Sequence, residues 1–286
     1  VGLIVTLMIS GGPATASLAR DTVFAAVVIT VNGIAGLSLF VCARKYGVAL
    51  FNAEGTGAAL ATVASLATLS LVLPTFTTSR PGPEFSSAQL VFAAAASLVL
   101  YGMFVLTQTG PHRHFFLPVI ADEPETRDRD SAPPTGRMAG MSLALLVVAL
   151  CAVVGLAKVE SPAIEDAVED AGLPQSIVGV VIALLVLLPE TLAAVRAAQR
   201  NRIQISLNLA FGSAMASIGL TIPAIAVASI WLDGPLLLGL GPTQVVLLAI
   251  TVVVGMLTVV PGRATRLQGG VHLVLLAAYV FLSVNP

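Results

Sequence analysis

Eight stretches of about 20 residues carry almost no charge, and each is bounded by glycine, proline or a charged residue: 22–42, 58–76, 88–108, 138–157, 177–195, 205–231, 243–260 and 271–284. A helix of about 20 apolar residues matches the roughly 30 Å hydrocarbon core of a bilayer. Lipid supplies no water to bond exposed backbone, so a lone spanning segment must close its hydrogen bonds within itself, as a helix. Charged residues make up only 10% of the chain and hydrophobic ones 57%, against about 25% charged in soluble domains. The expectation is an all-α membrane protein. Before Gly11, Gly12 and Pro13 stand only the mostly apolar residues VGLIVTLMIS, with no charged region ahead of them. That is neither a signal peptide nor a full span and reads as the second part of a helix, which makes about nine transmembrane helices with the first one partial.

The stretch 110–137 (GPHRHFFLPVIADEPETRDRDSAPPTGR) is polar, proline-rich and mixed in charge, and reads as a linker disordered over much of its length. It divides the chain into a first helical half, 1–109, and a second, 138–286. Assigning alternate loops to opposite sides puts Arg44, Lys45, Arg113, Arg127, Arg129, Arg137, Arg196, Arg200, Arg202, Arg263 and Arg266 together, leaving Arg20, Arg80 and Lys158 opposite. Eleven of the 14 basic residues then share a face, which the positive-inside rule makes cytoplasmic. The linker is expected on that face. The C-terminus and the acidic segment 160–170, with five carboxylates and no basic residue, are expected outside.

The stretch SIVGVVIALLVLLPETLAAV has a single charge, Glu190, directly after Pro189 and well inside the apolar run. A carboxylate at that depth costs on the order of 3 kcal/mol on insertion scales, so it normally faces a cavity, binds a cation or takes up a proton. Proline withholds a backbone donor and frees a carbonyl one turn back. After a basic turn, the next helix reads SLNLAFGSAMASIGLTIP, with Asn208, and with Ser213, Ser217 and Thr221 four apart on one face. Gly212, Ala214, Ala216 and Gly219 admit close backbone approach. Two such helices enclose an oxygen-lined site suited to a hard cation, with Glu190 as the charged ligand. The first half offers a similar helix with Thr30, Asn32, Gly33, Gly36 and Ser38. It runs opposite to its counterpart, as in the inverted repeats of secondary transporters.

Plainer readings compete at each position. Glu190 alone could be a buried structural residue, and Asn208, Ser213, Ser217 and Asn32 could be packing contacts. Glu54 reads as a solvated helix-end residue, His112 and His114 as a loop pair without a third ligand, and His272 as interfacial. Cys42 and Cys151 read as small buried hydrophobes rather than a disulfide. No basic patch interleaved with aromatics supports nucleic-acid binding. No HExxH, Gly-x-Ser-x-Gly or P-loop is present, which makes an intramembrane enzyme the least supported alternative, behind a non-transporting scaffold or a channel.

LLPETLAAVRAAQRNRIQISLNLAFGSAMASIGLTIP resembles the second alpha-repeat of the calcium:cation antiporter superfamily, specifically its bacterial calcium/proton and sodium(potassium)/proton exchangers. SGGPATASLARDTVFAAVVITVNGIAGLSL, FNAEGTGAAL and LVLYGMFVLTQT resemble the first half of the same proteins. The resemblance covers the chain outside the linker. It implies exchange of Ca²⁺, Na⁺ or K⁺ for H⁺ by alternating access across a bacterial cytoplasmic membrane, with no cofactor and with inorganic cations, protons and the lipid bilayer as partners. It also implies that Glu190 alternates between cation and proton, faced by Asn208, Ser213 and Ser217. A matching first-repeat glutamate is expected just upstream of Val1, so that the sequence is expected to be N-terminally truncated.

Overall fold

The computed structural model describes residues 15–119, 135–172, 174, 176–231 and 236–285. The expected partial helix at Val1 and the middle of the linker, 120–134, lie outside them. Among the described residues the regular structure is helical apart from one two-residue strand pair. Helix α1 (Thr15–Val28) widens into a π-helical segment (Ile29–Ile34) and continues as α2 (Ala35–Tyr46). Strand β1 (Ala49–Leu50) leads into α3 (Ala53–Ala67), a second π segment (Thr68–Val72) and α4 (Leu73–Phe76). Then come α5 (Ser87–Thr109), α6 (Gly136–Asp170), α7 (Ser176–Gln199), α8 (Ile203–Ala228), α9 (Pro242–Val259), β2 (Arg263–Ala264) and α10 (Arg266–Val284).

Seven of these helical rods are long and apolar enough to cross a membrane. The eighth expected span, 138–157, lies inside α6, which continues beyond it. The acidic segment 160–170 forms the last three turns of the same 35-residue helix. At 1.5 Å per residue α6 is about 52 Å long, well beyond a hydrocarbon core, so its charged end protrudes from the apolar part.

The bundle has two ends, and hydrogen bonds show which loops belong to each. At one end the Lys45 ammonium and the Tyr46 hydroxyl donate to the Gln199 carbonyl, Asn52 N–H donates to Gln204, and β1 pairs antiparallel with β2. Arg44, Lys45, Arg196, Arg200, Arg202, Arg263 and Arg266 therefore cluster at one end. At the other, Arg20 donates to the Gly239 carbonyl, Gln244 to Asp21, and Gly239 N–H to the Pro83 carbonyl. This partition agrees with the alternate-loop counting.

The α1–α2 rod is the most enclosed of the seven. Apolarity does not select it for the centre, since helices facing lipid are equally apolar; its small residues do, because they let neighbours approach closely. A Cβ on Gly36 would lie 2.6 Å from the Cβ of His272, and one on Gly269 would lie 2.9 Å from the Gly36 carbonyl. Helices α2 and α10 thus cross almost backbone to backbone. Large exposed side chains on the outer helices, among them Phe92, Leu106, Val148, Val246, Leu257 and Val274, form an apolar exterior.

The first residues of the linker are ordered: Arg113–Phe116 form a 3₁₀ turn whose Phe116 is buried edge-on against Phe104. Helix α10 begins five residues before 271, because Thr265 and Gln268 form a capping box there and the Gly269–Gly270 pair is accommodated within the helix. Cys42 is buried and Cys151 exposed on α6, both as free thiols.

Candidate functional site

Glu190 lies in the second half of α7, and the helix runs through Pro189 without ending. Proline cannot donate to the Leu185 carbonyl, one turn back. On the next turn the Thr191 hydroxyl donates to the Leu187 carbonyl at 2.7 Å. The Oε2 atom of Glu190 is buried and has no hydrogen-bond partner. Thr22 Oγ1 is the only other such side-chain atom among the described residues. A buried carboxylate oxygen without a donor is costly, and a proton or a cation would relieve that cost. No three His, Cys, Asp or Glu side chains gather as a metal cluster among the described residues. Carboxylate oxygen is itself a hard ligand, of the kind alkali and alkaline-earth ions take.

Helices α7 and α8 are antiparallel neighbours joined by a short turn at the basic end, where Asn201 adopts a left-handed conformation. Glu190 stands about 14 Å along α7 from Gln199, and Ser213 about 15 Å along α8 from Ile203, at 1.5 Å per residue. The two are level. Ser213 and Ser217 are half-buried. Asn208 lies about 7 Å nearer the basic end. Its Oδ1 accepts from Gln204 Nε2 at 2.9 Å, and its Nδ2 donates to the Phe116 carbonyl at 2.6 Å.

Asn32 belongs to the π segment of the central rod, which packs against α7, α8, α9 and α10. Its level follows from a cross-helix bond, since Ser206 Oγ on α8 donates to Ser38 Oγ on α2 at 2.6 Å. Six residues from that bond along each antiparallel helix, about 9 Å, lie Asn32 on one and Gly212 on the other. Asn32 is thus level with Ser213 and Glu190. It is completely buried; its Nδ2 donates to Thr251 Oγ1 at 2.8 Å, and its Oδ1 lies 2.8 Å from His272 Nδ1. The far ring nitrogen of His272 lies 3.1 Å from Thr258 Oγ1.

Three elements therefore bring Glu190, Ser213 and Asn32 to one depth, with Ser217 one turn beyond Ser213 and Asn208 toward the basic end. The polar partners of Asn32 were missed from sequence. His272, expected at the interface, is 2% exposed and sits in the second turn of α10 rather than at its start. Gln204, which was not singled out, is 1% exposed and joins Asn208, Thr56 and the Asn52 backbone. The signal available was the same one that exposed Glu190, a polar side chain inside an apolar run. Glu54 is exposed, as expected, and His112 and His114 are exposed, with His112 stacked on Phe115.

The sodium/calcium exchanger protein family matches residues 1–110 and 141–285. A Sinorhizobium fredii protein named "Putative ionic transporter y4hA" is 45% identical over all of this chain and 77% of its own length. The sodium-potassium/proton antiporter ChaA of Escherichia coli is 31% identical over 98% of this chain and 75% of its own. The structure of native YfkE superposes with a TM-score of 0.73, covering 100% of this chain and 80% of that one at 16% identity, which speaks for the fold alone.

Proposed function

Because the chain belongs to the sodium/calcium exchanger protein family, we propose that it is a secondary antiporter exchanging Ca²⁺, Na⁺ or K⁺ for H⁺ by alternating access across a bacterial cytoplasmic membrane. Membership makes it a transporter rather than an enzyme. The observation that carries the proton half of the reading is the unpartnered, buried Oε2 of Glu190. Protonation removes its charge, and a bound cation neutralises it equally well. One carboxylate therefore holds either ligand but not both, which is the requirement for obligatory exchange.

Ser213, Ser217 and Asn32, level with Glu190 or within a turn of it, complete the proposed oxygen shell. Asn208 lies about 7 Å nearer the basic end. The basic loops are assigned to the cytoplasm, with the linker among them and the C-terminus outside. A shell of this kind is hard in character and excludes soft metals rather than choosing among Ca²⁺, Na⁺ and K⁺.

Inside-out vesicles containing the full-length protein, acidified by respiration and monitored with a pH-sensitive dye, test the reading directly. Adding Na⁺, K⁺ or Ca²⁺ should release protons from the lumen for at least one of the three. Uptake of cation without proton movement would favour a channel instead, and no flux of either would sink the antiporter reading.

A further inference from the structure

We infer that His272 is a positioning residue for cation binding, acting through Asn32; this rests on the reading that Asn32 lines the cation site. The argument starts from the amide. Nδ2 of Asn32 donates to Thr251 on α9, which leaves Oδ1 as the atom facing Nδ1 of His272 on α10 at 2.8 Å. An amide oxygen only accepts, so Nδ1 carries the hydrogen. In the neutral ring Nε2 is then the acceptor, and Thr258 on α9 lies 3.1 Å away to donate to it. The chain Thr258, His272, Asn32, Thr251 thus closes from α9 through α10 and the central rod back to α9, every link buried.

This arrangement sets the plane of the Asn32 carboxamide. Oδ1 is the only side-chain atom of Asn32 able to bind a cation, and one of its two lone pairs is taken by His272. The direction of the other is fixed by that same bond. His272 in turn cannot drift, because its Cβ rests where Gly36 has no side chain. An amide held at both ends loses no rotational freedom when a cation arrives, and orienting partners behind a ligand are typically worth 10–100-fold in ion affinity.

The inference makes a demand on His272 that packing alone would not. In vesicles of the full-length protein, His272→Leu should raise the half-saturating concentration about tenfold for whichever of Na⁺, K⁺ and Ca²⁺ the parent exchanges, with a smaller change in maximal rate. His272→Asn places an amide N–H close to where Nδ1 stood and should bring half-saturation back to within about threefold of the parent. Should the leucine protein not reach the membrane, Thr258→Val, nearly identical in shape, removes only the partner of the far ring nitrogen and should raise half-saturation by about threefold. Unchanged half-saturation in inserted His272→Leu or Thr258→Val protein, or equal loss in the leucine and asparagine variants, would overturn the positioning role. A parent protein without exchange activity would instead refute the antiporter reading, leaving the two failures distinct.

Discussion

The hydroxyl of Ser206 donates to that of Ser38 at 2.6 Å, joining α8 to the central rod in the buried interior. The two helices run in opposite directions, so this bond sets their register and brings Asn32 level with Ser213. Hydrogen bonds between membrane helices are worth roughly 0.6 kcal/mol on average and up to about 1.7. A double-mutant cycle of Ser38→Ala and Ser206→Ala, followed by thermal unfolding in detergent, should give a coupling of about 1 kcal/mol. Additive single effects would mean that the bond does not fix the register.

Glu190→Gln preserves size and removes the charge that both proton and cation need. It should abolish exchange while leaving insertion intact, since a neutral amide costs less to bury than a carboxylate. Glu190→Asp keeps the charge but withdraws it by about one methylene, and some activity should remain. A glutamine variant exchanging at the parent rate would make Glu190 a structural residue.

Ser213 and Asn208 are expected to behave differently, although both stand on α8. Ser213→Val should weaken apparent cation affinity without reducing folded yield, because Ser213 is level with Glu190. The amide of Asn208 is engaged at both ends by Gln204 and Phe116, so Asn208→Leu should lower stability by about 1–3 kcal/mol through the partners it leaves unpaired. Cation titrations alongside melting curves separate the two; a pure yield defect for Ser213→Val would assign it to packing.

Gly36→Ala should lower the melting temperature, since its Cβ would meet His272 Cβ at 2.6 Å and overpacking costs about 1–3 kcal/mol. Gly102→Ala, where nothing lies within 4 Å, should be neutral or slightly stabilising in the middle of α5. Equal effects at the two glycines would contradict the close α2–α10 crossing.

Cysteines introduced by Ser79→Cys and Arg200→Cys, with Cys42 and Cys151 replaced, should label from opposite faces of intact cells and inverted vesicles. The Arg200 position should be reached only from the cytoplasmic side. Labelling of both from one face would break the assignment of loops to ends.

Much of this protein is determined by linear pattern alone. The run lengths of apolar residues dictate helices, because lipid leaves unpaired backbone no partner, and seven rods stand where those runs are. Alternation of loops groups the basic residues by bundle end, because each span carries the chain from one end to the other. Glu190 stands out because its cost depends on depth, which position within the run already reveals. What pattern could not decide is what faces what. Lipid tails and helix interiors are equally apolar, so periodicity does not mark the inner face, and burial falls to small residues and polar contacts made between distant segments. Gly36 and Gly269 become a crossing, and His272, read as a residue at a span's edge, becomes the partner of Asn32, 240 positions away. The apolar run 138–157 did not show how far α6 extends, because a helix already begun in the bilayer can carry charges and Pro162 past its edge.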